Sequence, residues 1–126
     1  MLLFVYGTLK QGGKYHCYLD EAELVEERAT AKGSLYDTGL GYPAMVLSSD
    51  CQVEGEIYDI PDVLWPALDY LEDYSGNPET DLYDKKKISV EVNGKIVETF
   101  AYLAKDEQLL KKPIPAGKWE VRYSMA

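Results

Sequence analysis

Two β-rich runs, Ile88-Ser89-Val90-Glu91-Val92 and Lys95-Ile96-Val97-Glu98-Thr99-Phe100, meet at the dipeptide Asn93-Gly94. Asn-Gly supplies the positive φ angles of a two-residue type I′ turn, so the segment predicts an antiparallel hairpin. The loop length fixes the register: Val90 faces Val97, Val92 faces Lys95, and Phe100 and Tyr102 share the opposite face. Leu2 to Tyr6 is a continuous apolar run, the mark of a strand buried on both faces, and it stops at Gly7. Ala31–Tyr36 and Ala44–Leu47 read as short strands around the turn-rich residues 37–43. Val53 to Ile60 alternates, with Val53, Gly55 and Ile57 on one face and Glu54, Glu56 and Tyr58 on the other. Glu21 to Arg28 is polar and acidic with no clear period. One helix is expected from about Asp62 to Tyr74, with Asp62 as cap, Leu64, Ala67, Leu68 and Leu71 at helical spacing, and Pro66 in the first turn. Together these elements predict an α+β fold: a small, mostly antiparallel β-barrel with one or two packed helices, in a single domain spanning residues 1–126.

A net charge of -9 argues against nucleic acid as a partner, because that affinity rests on Lys and Arg neutralising phosphates. The basic run Lys85-Lys86-Lys87 is flanked by acids and reads as a solvated strand edge. The short apolar run Leu2 to Tyr6 carries no basic n-region, and no stretch approaches the roughly 20 apolar residues of a membrane span, so neither a signal peptide nor a membrane span is expected. A cytoplasmic location and no membrane contact are therefore expected. Cys17 and Cys51 lie far apart without CxxC spacing and are expected to be free thiols. Eleven tyrosines suit either strand-rich structure or the walls of a cavity for a small polar ligand, apolar in body and hydroxylated at the tip.

The chemistry available is narrow. One histidine, His16, and two scattered cysteines give no metal cluster, and no phosphate-binding glycine loop or nucleophile elbow is present. His16 and Cys17 are adjacent, and neighbouring side chains rarely aim at each other. Catalysis would then rest on carboxylates, hydroxyls and backbone amides. One candidate is Tyr6-Gly7-Thr8-Leu9-Lys10, where a buried strand breaks at glycine. Such a break can turn several N–H groups toward one space and hold a carboxylate or oxyanion. By spacing alone the segment reads more readily as a plain turn. The second candidate is the acidic group Asp69, Glu72 and Asp73. At about 100° per residue, Asp73 and Asp69 point away from the Leu64/Leu68/Leu71 stripe, while Glu72 lies about 80° from its centre. Glu72 is thus the acid nearest the interior, beside Trp65. Burial and two neighbouring acids would raise its pKa into the range of a base at neutral pH. By itself it reads more readily as a boundary salt-bridging residue.

Both features fall where the γ-glutamylcyclotransferase-like (AIG2-like) family carries its motifs. Phe4-Val5-Tyr6-Gly7-Thr8-Leu9-Lys10 resembles that family's strand and Tyr-Gly-Ser/Thr-Leu turn, and Val53-Glu54-Gly55-Glu56-Ile57-Tyr58 its following strand. Leu68-Asp69-Tyr70-Leu71-Glu72 is similar to its Leu-Asp-x-x-Glu helix, Tyr83 to the tyrosine opening the next strand, and Pro115-Ala116-Gly117-Lys118-Trp119 to its Gly-Asp-Trp ending. The order covers nearly the whole chain, at a length typical of the short bacterial branch. The resemblance departs at Lys85, where relatives often carry Arg, and at the longer segment Ser75–Asp81, which follows Glu72 and can reshape the pocket mouth.

The resemblance implies release of 5-oxoproline from a γ-glutamyl amine or peptide, by attack of the substrate's own α-amine on its γ-carbonyl. It implies Glu72 as general base and acid, the amides of Gly7, Thr8 and Leu9 as a cradle beside Tyr6, and Tyr58 and Tyr102 as pocket walls. It implies no cofactor, a small-molecule γ-glutamyl substrate, and a monomer or homodimer. A different class of function, a small-metabolite binding or regulatory domain without turnover, fits the same cradle, although such a domain has no need of an acid at Glu72. A γ-glutamyl lyase dedicated to one biosynthetic route is a third reading that the sequence does not separate from the first.

Overall fold

The computed structural model describes residues 1–120 apart from 73, 78, 80, 82 and 106. Six strands follow in order: β1 (Leu2–Val5), β2 (Glu23–Asp37), β3 (Pro43–Asp59), β4 (Tyr83–Val92), β5 (Lys95–Ala104) and the short β6 (Lys112–Pro113). One α-helix, α1 (Trp65–Leu71), lies between β3 and β4, and 3₁₀ turns occupy His16–Leu19, Asp62–Leu64 and Glu107–Leu109. The sheet order is β3-β1-β5-β4-β2-β6, and a further β2–β3 pairing closes five of these strands into a barrel. All pairings are antiparallel except β1 with β5, which makes the barrel mixed.

The hairpin of β4 and β5 has the expected register, with Val90 opposite Val97 and Val92 opposite Lys95. Asn93 and Gly94 adopt φ of 51° and 80°, the left-handed pair that a type I′ turn needs. The segments read as separate short strands are instead one long hairpin of β2 and β3, and the acidic residues 23–28 belong to it. Two register shifts, between Leu24 and Glu26 and between Glu26 and Ala29, explain why no period shows there; a third lies further along, between Lys32 and Gly33. Each of the first two puts one extra residue into β2 and swaps the face on which the following side chains emerge, so alternation along this part of the strand is lost.

Alternation elsewhere sorts the core into two layers. Phe4, Ala31, Met45, Val90 and Ala101, one from each barrel strand, form the interior together with Trp119. Leu3, Val5, Tyr58 and Tyr102 face outward and are covered by Trp65 and Leu68 of α1 and by Leu9 and Leu19 of the loop after β1. Val90 and Val97 thus belong to the inner layer, and Phe100 and Tyr102 to the outer one, as the hairpin register requires.

The helix is shorter than expected. Asp62 lies inside the 3₁₀ turn and makes no capping hydrogen bond; Pro66 sits in the first turn of α1, where its missing N–H costs nothing. Both cysteines are free and exposed.

The segment after β6 is stitched back onto the barrel. Ile114 N–H donates to Leu35 O (2.8 Å), Glu54 N–H to Gly117 O (2.7 Å), and the buried Lys10 Nζ to Trp119 O (2.7 Å). Two buried groups have no such satisfaction: Trp65 Nε1 and Thr99 Oγ1 find no hydrogen-bond partner among the described residues. Thr99→Val replaces the Thr99 hydroxyl with a methyl of similar shape and keeps the β-branch. It is expected to be neutral or to stabilise the fold by up to about 1 kcal/mol, measured as a rise in the urea midpoint.

Candidate active site

The end of β1 and the end of α1 open onto one cavity of about 150 Å³. Beyond Val5 the chain turns: Lys10 N–H donates to Gly7 O (3.1 Å) and Tyr15 N–H to Thr8 O (2.9 Å). Among the described residues the amides of Gly7, Thr8 and Leu9 have no backbone partner in this turn. Tyr6, Gly7, Thr8 and Leu9 all line the cavity. Glycine is required at position 7 by close approach, since a Cβ there would lie 2.6 Å from Pro43 Cγ and 2.8 Å from its Cδ. Pro43 is itself part of the cavity wall.

Glu72 lines the same space from the opposite element. It is the first residue past α1, with φ -87° and ψ 8°, and its N–H donates to Leu68 O at 3.0 Å. Part of the residue reaches solvent, yet its carboxyl is enclosed on the cavity side, and burial pushes its pKa up to about 7. Burial is sufficient cause, and the expected contribution of Asp69 needs correction. Asp69 does not point into open solvent; its carboxylate accepts hydrogen bonds from Lys85 Nζ and from Tyr102 Oη. Asp73 lies outside the described residues.

Lys85 likewise differs from the expected solvated edge. Its Nζ stands 3.0 Å from Asp69 Oδ1 and 4.6 Å from the centre of the Trp65 ring, while Lys86 and Lys87 are exposed as expected. Within Ser75–Asp81, the Asp81 carboxylate accepts from Ser75 N–H (3.0 Å), Ser75 Oγ (2.7 Å) and Gly76 N–H (2.9 Å), and these bonds hold its own pKa below the usual carboxylate range.

Five tyrosines line the cavity: Tyr6, Tyr15, Tyr42, Tyr83 and Tyr102. Three have their hydroxyls fixed to the protein: Tyr6 Oη donates to Tyr102 O, Tyr83 Oη to Pro43 O (2.9 Å) and Tyr102 Oη to Asp69 Oδ1 (2.7 Å). Burial raises the pKa of all three, so they stay neutral and act as rigid walls rather than proton carriers. Tyr58 is placed differently. Its hydroxyl donates to Glu56 Oε1 (3.0 Å), its ring lies 5.9 Å from that of His16 at a tilt of 57°, and it does not line the cavity.

The residues that sequence reasoning missed as lining are mainly Tyr15, Tyr42, Pro43 and Tyr83. Tyr83 carried a signal, as the tyrosine that opens β4. Tyr15 and Tyr42 lie in loops whose course is set by tertiary contacts, and nothing local marks them. Among the described residues no three His, Cys, Asp or Glu side chains converge to hold a metal, and no helix is long and apolar enough to cross a membrane.

The family model for gamma-glutamyl cyclotransferase, AIG2-like proteins matches residues 3–121. A relative from Niallia circulans named gamma-L-glutamyl-butirosin B gamma-glutamyl cyclotransferase is 41% identical over 93 residues, which are 73% of this chain and 59% of that protein. The chain thus spans less than two thirds of that relative's length. A putative gamma-glutamylcyclotransferase of Vibrio cholerae is 31% identical over 124 residues, covering 94% of each chain. The crystal structure of a mouse AIG2-like protein superposes with a TM-score of 0.74 at 27% identity, over 91% of this chain and 85% of that one. A family model that matches residues 3–121 and a relative 31% identical over 94% of both chains show that the chain belongs to the gamma-glutamyl cyclotransferase, AIG2-like family.

Proposed function

We propose that the chain releases 5-oxoproline from a γ-glutamyl amine or peptide, with Glu72 carrying the proton. The observation that supports this most is a carboxyl with a pKa near 7 lining the same small cavity as Gly7, Thr8 and Leu9, whose amides have no backbone partner within their turn. The amides suit the γ-glutamyl group's α-carboxylate or its carbonyl oxygen as negative charge develops there. Glu72 takes a proton from the α-ammonium, and the freed amine attacks the γ-carbonyl carbon. The new N–C bond closes a five-membered ring as the C–N bond to the leaving amine breaks. The proton held by Glu72 passes to that amine. The ring nitrogen then gives up its surplus proton to the freed Glu72 carboxylate, which hands it on to the departing amine, so that the amine leaves as its ammonium and Glu72 is restored. Because attack is intramolecular, the tyrosine walls need only hold the chain of the substrate folded. The amine half of the substrate leaves the reacting centre and is not defined by these contacts. The Niallia circulans relative is named for γ-L-glutamyl-butirosin B; what we carry over is the γ-glutamyl half.

The test is a panel of γ-glutamyl amines, γ-glutamyl-ε-lysine and glutathione, assayed for 5-oxoproline. Product from at least one donor supports the reading, and saturable binding without product from any donor would favour a binding domain instead. Gly7→Ala is expected to push Pro43 and the cavity wall outward at a strain of about 1–3 kcal/mol. With a responsive donor, kcat/KM should fall roughly tenfold, mostly through KM, because the cradle amides hold the ground state as well as the transition state.

A further inference from the structure

We propose that Asp69, Lys85 and Tyr102 form a clamp that positions Glu72 over the Tyr6–Leu9 turn, with Lys85 as the residue that keeps it closed; this rests on the reading of Glu72 as proton carrier. A helix of seven residues, Trp65–Leu71, is too short to hold its own geometry in water, so something else must fix its end. Asp69 lies three residues before Glu72. Its carboxylate accepts Lys85 Nζ on both oxygens, at 3.0 and 3.1 Å, and Tyr102 Oη on one, at 2.7 Å. The carboxylate therefore ties α1 to β4 and to β5 at once.

The ammonium does more than pair. Lys85 Nζ lies 4.6 Å from the centre of the Trp65 ring and 5.2 Å from that of Tyr74. Trp65 opens α1 and Tyr74 follows Glu72, so one cation touches both ends of the segment that carries the acid. Glu72 is bracketed in the backbone as well: its own N–H donates to Leu68 O (3.0 Å), and Tyr74 N–H to Asp69 O (2.8 Å). The side chains of Lys85 and Asp69 are only 18% and 25% exposed, so the pair is shielded from solvent, unlike the exposed pairs that contribute little. Tyr102, held by Asp69, faces the cavity and receives Tyr6 Oη at its carbonyl. The clamp thus joins the acid's element to the cradle's element through two side chains and one carbonyl. Asp69 and Lys85 do not line the cavity and would act through Glu72: they are positioning residues.

Two readouts on the full chain test this. Hydrogen–deuterium exchange of the amides from Leu68 to Tyr74 is compared among wild type, Lys85→Met and Lys85→Arg, and kinetics follow on whichever γ-glutamyl donor responds. For Lys85→Met, exchange should speed up in this segment while the inner strands stay protected, and kcat should fall about ten- to a hundredfold with KM within twofold. Lys85→Arg, which keeps the charge, should restore both most of the way. Unchanged exchange at Leu68–Tyr74, or equally faster exchange throughout the barrel, would overturn the clamp. So would a loss appearing in KM alone. If no donor yields 5-oxoproline, the reading of Glu72 fails, and the exchange comparison still decides whether Lys85 fixes the segment.

Discussion

Glu72→Gln is expected to slow 5-oxoproline release at pH 8 by about 10²–10⁴-fold, the range that a positioned general base contributes. The amide keeps the shape of the side chain and loses the ability to take a proton, so kcat should carry the loss and KM should change little. The same substitution has a signature in stability that activity does not share. Burial raises the folded-state pKa of Glu72 to about 7 from the ordinary 4.5, so the fold favours the neutral form. That contribution is complete below pH 4.5 or so and is lost as pH rises through about 7, because the charged form must then be kept buried. Glu72→Gln never charges. Relative to wild type it should gain stability between about pH 5 and pH 8, read as the difference in urea midpoints at the two values. A less active but more stable variant at pH 8 separates a desolvated functional acid from a damaged fold.

Trp119→Ala is expected to be the most destabilising single change, at about 3–5 kcal/mol. Trp119 is 1% exposed and packs inside the barrel with Phe4 and Tyr6, while its carbonyl accepts Lys10 Nζ at 2.7 Å. The ring fills space that no other strand supplies, since it comes from the segment after β6. Total stabilities of such domains are only about 5–15 kcal/mol, so the loss is a large fraction. The melting temperature should fall by roughly 10–20 °C. Lys10 follows the cradle turn directly, so the effect should also reach Tyr6–Leu9. A loss of substrate affinity below the new melting transition is the expected sign.

Local chemistry made the β4–β5 hairpin legible to the residue, because Asn93-Gly94 permits few other structures and a two-residue loop leaves one register. The long β2–β3 hairpin was not legible in its first third. Its register shifts break the alternation that makes a strand visible, and those shifts follow from closing a small barrel rather than from local preference. Glu72 was picked out from Asp69 and Asp73 by treating the helix as continuous, and it does face the cavity although the helix stops at Leu71. The same phasing failed for Asp69, because a partner from β4, distant in sequence, turns an acid placed on the outer flank into the centre of a network. Tyr58 failed for a related reason. It alternates as expected, but the outer layer it enters is packed by Leu19 and His16 rather than open to the cavity.

The most direct measurement is the pH dependence of kcat/KM for 5-oxoproline release by the wild-type chain, from about pH 5 to pH 8.5. With Glu72 as the base, kcat/KM should rise with pH and level off, with an apparent pKa near 7, and the residual rate of Glu72→Gln should show no such step. A wild-type profile that is flat across this range, or a step that survives in Glu72→Gln, would contradict the assignment.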